Sequence, residues 1–236
     1  MAESRDDSEI FWVEPKRRAI LPLDGFACSR SLARTLRRGR FSVSCNRAFT
    51  AVMESCAAPR SDGSGETWIS ARIAASYREL NARGHAHSIE CWQSGLLVGG
   101  LYGVGFDRVF CGESMFSLVP DASKVALAWL VAALKQARVE LLDCQFMTDH
   151  LASLGAVEIS QKRYLDLLIR AQRASAGVST LAGATGEGAA EGFTTGGDAA
   201  PLGLPAGFAA LLTAANAAGS SSSPGNFIAQ SLTHTS

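Results

Sequence analysis

Residues 139–159, VELLDCQFMTDHLASLGAVEI, restrict the fold more than any other stretch of the chain. Val139, Leu141, Leu142, Cys144, Phe146 and Met147 have the apolar content of a strand covered on both faces. Asp143 and Gln145 nevertheless stand in its middle and, at the two-residue strand period, point to one side. A carboxylate in such a strand is costly unless it is paired or used. From Thr148 the pattern changes to Asp149, His150, Leu151, Leu154 and Gly155, which reads as a capped helical turn closed by glycine. A buried strand thus delivers an acid and an amide to its end, where a helix starts. Asp143 is either a satisfied structural acid or a working one, and the strand by itself leaves both open.

Charge divides the chain unevenly. All 22 basic residues lie at or before Arg173, against 19 acids, so residues 1–173 carry +3; Glu187, Glu191 and Asp198 give the remainder −3. Six cysteines, at 28, 45, 56, 91, 111 and 144, form no CxxC pair and have no paired histidines nearby, which indicates neither a zinc site nor a disulfide framework. His85 and His87 lack a third ligand, so no metal is expected. No apolar run reaches the ~18 residues of a membrane span, and MAESRDDSE is too polar for a signal peptide. A cytoplasmic protein with no membrane partner is expected.

In chain order, Ala19–Leu23 is a short strand ended by Asp24-Gly25. Ser29 caps a helix in which Arg30, Arg34, Arg37 and Arg38 share one face and Leu32 and Leu36 the other. That stripe is either a solvated face or a phosphate-binding one. After a strand around Phe41 and Val43, Asn46 caps a helix with Phe49, Val52, Met53 and Cys56 at helical spacing. Residues 61–65, SDGSG, form a loop. Thr67-Trp68-Ile69-Ser70 then leads into a helix through Ile73, Tyr77 and Leu80. Ile89–Trp92 and Leu96–Tyr102 form a hairpin about Gln93-Ser94-Gly95. The glycines of GGLYGVG precede no helix, which argues against a nucleotide loop. In CGESMFS, Glu113 sits among Phe110, Met115 and Phe116, as a cation receptor or as an acid turned to solvent at a strand end. Asp121 or Ser123 caps a long helix that returns the chain to Val139. The outcome is an α+β mixed sheet flanked by helices.

HSIECW, LLVGGLYGV, FCGESMFS, ASKVAL, LLDCQ and HLASLGAVEI, preceded by LPLDGF, SRSLARTLRRGRF and TWI, follow the order and spacing of the leucyl/phenylalanyl-tRNA protein transferases, which the chain resembles over roughly residues 11–168. The resemblance implies a bacterial enzyme that moves Leu or Phe, and less readily Met, from its tRNA to the α-amino group of a protein beginning with Arg or Lys, marking it for the N-degron pathway. It implies a catalytic domain similar to the GNAT acetyltransferases, although the chain has no Q/RxxGxG/A loop, so no cofactor is expected. An aminoacyl ester is already activated, and holding amine and ester in attack geometry is worth roughly 7–11 kcal/mol.

Carried over from LLDCQ, Gln145 contacts the attacking amine and Asp143 polarises it or accepts its proton. Glu113, from the GES motif, faces the basic N-terminal side chain. Leu101, Phe110, Met115, Leu127, Leu130 and Leu142 are candidate linings for the donor side chain. Trp92 and Ser117 are candidate contacts for the terminal adenosine. Arg30, Arg34, Arg37, Arg38 and Lys124 are candidates for acceptor-stem phosphates.

The expected domains are an N-terminal α/β portion (1–84), a GNAT-like catalytic domain (85–173) and a disordered Ala/Gly/Ser-rich tail (174–236), with Phe227 and Ile228 as docking residues, in a monomer. The family pattern begins with a further segment ending in an aromatic Phe-Pro sequence, so the start at Met1 reads either as late or as a truncation; if the chain truly starts at Met1, part of the donor wall is missing. The rival readings are an acyl-CoA-dependent N-acyltransferase and an inactive tRNA-binding module.

Overall fold

The computed structural model describes residues 13–58, 67–179, 201–217 and 224–233. Residues 1–12, on which the expected truncation bears, and the predicted loop at 61–65 lie outside the described residues. Among those described, seven strands form one sheet: β1 (Arg17–Ile20), β2 (Ser42–Cys45), β3 (Ala86–Gln93), β4 (Leu96–Phe106), β5 (Val109–Ser117), β6 (Leu141–Gln145) and β7 (Val157–Ser160). Their order is β2-β3-β4-β5-β6-β1-β7. β5 and β6 run parallel; the other neighbours are antiparallel. The β3–β4 hairpin turns at Ser94 and Gly95, both at positive φ, the geometry that suits the right-handed twist of the flanking strands. The sheet crosses residue 84 without a break, since β2 pairs with β3.

The parallel pair requires a crossover, and α4 (Ala122–Gln136) supplies it. Apart from Lys124, α4 is buried at every position from Ala122 to Leu134. A helix apolar all round has to be enclosed on all sides. One side lies on the sheet; the other is covered by α1 (Arg30–Arg37), α7 (Leu204–Ala217) and α8 (Pro224–Thr233), all in one apolar cluster. Along β4, Tyr102, Val104 and Phe106 alternate onto the opposite face, where α2 (Phe49–Ala57), α3 (Ala71–Ala82) and α6 (Gln161–Ser179) lie. The short α5 (Asp149–Ser153) follows β6, with Thr148 Oγ1 accepting from the Leu151 amide as the sequence predicts. Among the described residues no helix is long and apolar enough to cross a membrane.

Three expectations are corrected. Neither Asp121 nor Ser123 caps α4 through its side chain: Asp121 sits at φ +70 without a cap bond, and Ser117 Oγ accepts from the Ser123 amide instead. Asn46 does not cap α2: it sits at φ +58 and its side chain bonds His87 Nδ1 and the Ser88 amide. The α2 entry is served instead by buried Glu90 of β3, which accepts from the Arg47 and Ala48 amides and from the Ser44 and Ser88 hydroxyls. A local cap motif is thereby overridden by a carboxylate from another strand.

The larger correction concerns two parts of the predicted disordered tail; its residues 180–200, 218–223 and 234–236 lie outside the described residues. Residues 201–217 and 224–233 are ordered against the core, with Leu204, Phe208, Leu211, Ile228 and Leu232 buried. The Phe208 ring lies 5.6 Å from that of Trp129. Ala- and Gly-rich composition looked unable to form a core, but here it permits close seating on a core that already exists. Phe227 and Ile228 do dock, onto this chain's own cluster. Replacing Phe208 with alanine is expected to lower unfolding free energy by about 3–5 kcal/mol, the range for a buried Phe, as measured by urea denaturation; a detached tail would give no change.

Candidate active site

β5 and β6 pair at Val109–Leu141, Phe110–Leu142 and Cys111–Asp143, and then part. β5 runs on to Ser117 along β4, whereas β6 ends at Gln145. At this parting β5 carries a bulge: Tyr102 pairs with Ser114 and Gly103 with Gly112, leaving Glu113 as the extra residue. The bulge explains why Phe110 and Met115, five positions apart, both pack toward α4. It also re-aims Glu113, whose carboxylate hydrogen-bonds Tyr77 of α3 and accepts from Gln145 Nε2 at 2.8 Å. Gln145 Nε2 also donates to the Gly112 carbonyl at 3.2 Å, so the amide of β6 bridges the gap to β5.

Gln145 occupies this position at φ +64, a left-handed conformation that costs a non-glycine residue stability. Asp143 holds it there. The Gln145 amide N–H donates to Asp143 Oδ1 at 2.8 Å. Arg18 of β1 grips the same carboxylate through Nε, 3.1 Å from each oxygen, and through a terminal nitrogen 2.7 Å from Oδ2. The Tyr164 hydroxyl of α6 donates to Oδ2 at 3.1 Å, with the Arg18 guanidinium 4.8 Å over the Tyr164 ring. The Asp143 side chain is fully buried, and its oxygens are occupied by these four groups.

A cavity of about 800 Å³ opens at the parting. Leu101, Met115, Leu127, Leu130 and Leu142 form an apolar wall; Arg18, Trp68, Tyr77, Tyr102, Glu113 and Gln145 form a polar and aromatic one, with His150 and Phe146 at α5. Of the sequence-predicted residues, the structure thus brings five of the six lining candidates together with Glu113 and Gln145. Phe110 is not among them: it is fully buried beneath Gly103, where an added Cβ would lie 2.6 Å from its ring. Asp143 sits behind the wall rather than on it. Trp92 and Ser117 are also elsewhere. Trp92 donates to Ser44 Oγ at 2.8 Å under the Arg47 guanidinium, and Ser117 Oγ accepts from the Ser123 amide at the start of α4. Arg30, Arg34, Arg37 and Arg38 are exposed on or just past α1. Lys124 pairs with Asp121 at 3.7 Å; burial, and secondarily the nearby Lys124 charge, disfavour protonation of His150.

Sequence reasoning missed Arg18, Trp68, Tyr77, Tyr102 and His150. TWI was visible as a motif, but nothing local tells that α3 folds back over the bulge. Burial raises the Glu113 carboxyl above its ordinary 4.5, with the Gln145 and Tyr77 hydrogen bonds opposing. Burial also pushes the Cys144 thiol on the cavity wall up to about 12, which keeps it protonated. The Tyr102 hydroxyl is buried without a hydrogen-bond partner among the described residues.

The family model for leucyl/phenylalanyl-tRNA protein transferase matches residues 20–169, which include Glu113, Asp143 and Gln145. The chain belongs to the leucyl/phenylalanyl-tRNA protein transferase family. A leucyl/phenylalanyl-tRNA protein transferase of Novosphingobium aromaticivorans is 68% identical over 243 aligned positions, spanning 100% of this chain and 91% of the relative. Transferases of the same name from Rhizorhabdus wittichii and Zymomonas mobilis are each 56% identical, covering 78% and 71% of this chain and 73% and 62% of their own. The family match ends before α7 and α8.

Two outcomes follow from the geometry around Asp143 and Glu113. Arg18→Ala strands a buried carboxylate and is expected to cost about 3 kcal/mol in urea unfolding, the low end for a broken buried pair because Arg18 is 22% exposed. Glu113→Gln should act in the opposite direction. A carboxyl raised on folding contributes stability that is lost as pH rises through its folded pKa. The glutamine variant should therefore melt higher than the parent at neutral pH, with the gap closing as pH falls into the range above 4.5, read by thermal scans across pH.

Proposed function

We propose that this chain transfers leucine or phenylalanine, and methionine less readily, from aminoacyl-tRNA to the α-amino group of proteins beginning with Arg or Lys, marking them for degradation through the N-degron pathway. One observation carries the reading: Gln145 and Glu113 meet where the apolar wall joins the polar one, in the gap between two parting strands. Parallel strands that open around an acyl group are the reason to describe the catalytic part as GNAT-like.

The reaction forms one N–C bond and breaks one C–O bond. The acceptor amine attacks the ester carbonyl, the ribose 3′-oxygen departs, and the amine's proton ends on that oxygen. An α-amino group has an ordinary pKa of about 7.7–8.0, so a useful fraction is already neutral and the demand is chiefly for orientation. Gln145 meets that demand. Its Nε2 is committed to Glu113 and Gly112, which fixes the amide plane and leaves Oε1 to accept from the attacking amine.

Asp143 is better read as a positioning residue than as the proton acceptor, because its oxygens already accept from Arg18, Tyr164 and the Gln145 backbone. Glu113, re-aimed by the bulge and faced by aromatic rings, attracts a guanidinium or ammonium and selects basic N-termini. Leu101, Met115, Leu127, Leu130 and Leu142 take the donor side chain; a pocket without polar groups separates Leu, Phe and Met weakly. Trp68, on the cavity wall, takes the stacking role expected of Trp92.

The exposed arginines of α1, with Lys124, bind acceptor-stem phosphates. Thr35 Oγ1 donates to Asp121 at 3.2 Å and Arg40 to the Pro120 carbonyl at 2.7 Å, so α1 is tied beside the start of α4, whose Leu127 and Leu130 line the cavity. The enzyme acts as a cytoplasmic monomer without a cofactor.

Purified protein incubated with Leu-tRNA and peptides beginning with Arg or Gly is expected to label the Arg peptide alone. Acetyl transfer from acetyl-CoA would instead favour an acyl-CoA enzyme, and tRNA retention without labelling an inactive binding module. Gln145→Ala should slow labelling by about 100-fold, the low end for a group that stabilises a transition state, with tRNA affinity unchanged. Arg34→Glu combined with Arg38→Glu should weaken tRNA affinity and steepen no chemical step, as read by filter binding beside single-turnover rates.

A further inference from the structure

We infer that α7 and α8 form a strap that fixes the arginine face of α1 relative to the donor pocket, so that tRNA grip and acyl placement are gauged by residues outside the family match. The inference rests on the reading of α1 as the phosphate-binding helix. α4 is the shared part: Leu127 and Leu130 line the cavity, while on another side the Trp129 ring meets Phe208 of α7. The α4–α7 approach is close at Gly207, where a Cβ would lie 2.8 Å from the Ala133 carbonyl and 3.1 Å from Ala137 Cβ. α8 in turn reaches α1. A Cβ at Gly225 would overlap the Leu36 carbonyl oxygen, in the last turn before Arg37 and Arg38, and Ile228, Leu232, Leu32 and Leu36 are buried in one cluster.

α1 also meets α4 directly, through the apolar cluster that Leu32, Ala33 and Leu36 share with it and through polar contacts to Asp121 and Pro120. Each of the polar contacts is worth about 1 kcal/mol, as a single hydrogen bond usually is. The apolar strap adds a second, longer route, from α4 through α7 and α8 to α1, that holds the spacing between phosphate-binding arginines and pocket floor. A charged tRNA is a single stiff object that must engage both at once, and two anchors help each other only when their separation matches. At its far end the strap is pinned to the sheet, where Pro201 bridges Phe106 and Leu202 fills the space over Gly105.

Gly225→Val in the full chain separates α8 from α1, and two donors then distinguish the outcomes. Leu-tRNA uses both anchors, whereas leucyl-adenosine, the same ester without a stem, uses the pocket alone. The variant is expected to raise KM for Leu-tRNA about tenfold, the equivalent of losing one or two phosphate contacts, and to leave kcat and transfer from leucyl-adenosine unaltered. Gly225→Ala should shift KM in the same direction by less, and serves if valine prevents folding. Equal losses on both donors would make α8 a support of the pocket or of the fold as a whole and overturn the inference; so would unchanged KM on both. The charge reversal on α1 separates the two levels. If it weakens tRNA affinity while Gly225→Val does not, the strap inference fails and the α1 reading stands. If it has no effect, the α1 reading fails and the strap inference falls with it.

Discussion

The Arg18–Asp143 pair is the interaction on which the site depends. A carboxylate with no solvent exposure, in the middle of a sheet, is tolerated only with its charge matched and its lone pairs taken. Three elements distant in sequence meet to do this: β1 contributes Arg18, α6 contributes Tyr164, and β6 contributes the acid together with the amide of Gln145. The network is complete only when β1 lies beside β6 and α6 lies across both. The same contacts that close the sheet therefore bend the end of β6 into the left-handed turn that presents Gln145 to Gly112 and Glu113.

The cavity exists because two strands that begin as partners lose each other. On the β5 side the cause is the bulge at Glu113, and on the β6 side it is the turn at Gln145. The side chains at these two irregularities bond across the opening, so backbone groups left without a ladder partner are met by an amide and not by solvent. Irregular backbone and the bonded Glu113 and Gln145 side chains coincide here for one physical reason: each re-aims the other. Tyr77 adds a third point, and it makes the placement of α3 part of the electrostatics of Glu113.

Most strands, the long buried helix and the acid–amide pair were legible in the sequence, because alternation and helical spacing are local signals. Leu127 and Leu130, expected as linings, do line the cavity. What escaped depended on contacts between distant segments. Asn46 has the chemistry of a cap, yet Glu90 from β3 took that work. Trp92 and Trp68 are equally aromatic, and only the fold tells which one faces the cavity. Phe110 follows the alternation of its strand but is spent filling the space left by Gly103. The tail was misjudged because low complexity signals weak autonomous folding, and says nothing of a segment that borrows an apolar surface from elsewhere.

The left-handed conformation at Gln145 bears on efforts to make the protein more rugged. Exchanging residues at positive φ for glycine is a standard route to relief of backbone strain, and Ser94 and Arg138 are natural targets for it. At Gln145 the same exchange would ease the chain and delete the carboxamide in one step. If Gln145 orients the amine as proposed, thermal robustness and turnover compete for this one position, and a screen that rewards heat resistance alone selects against the carboxamide.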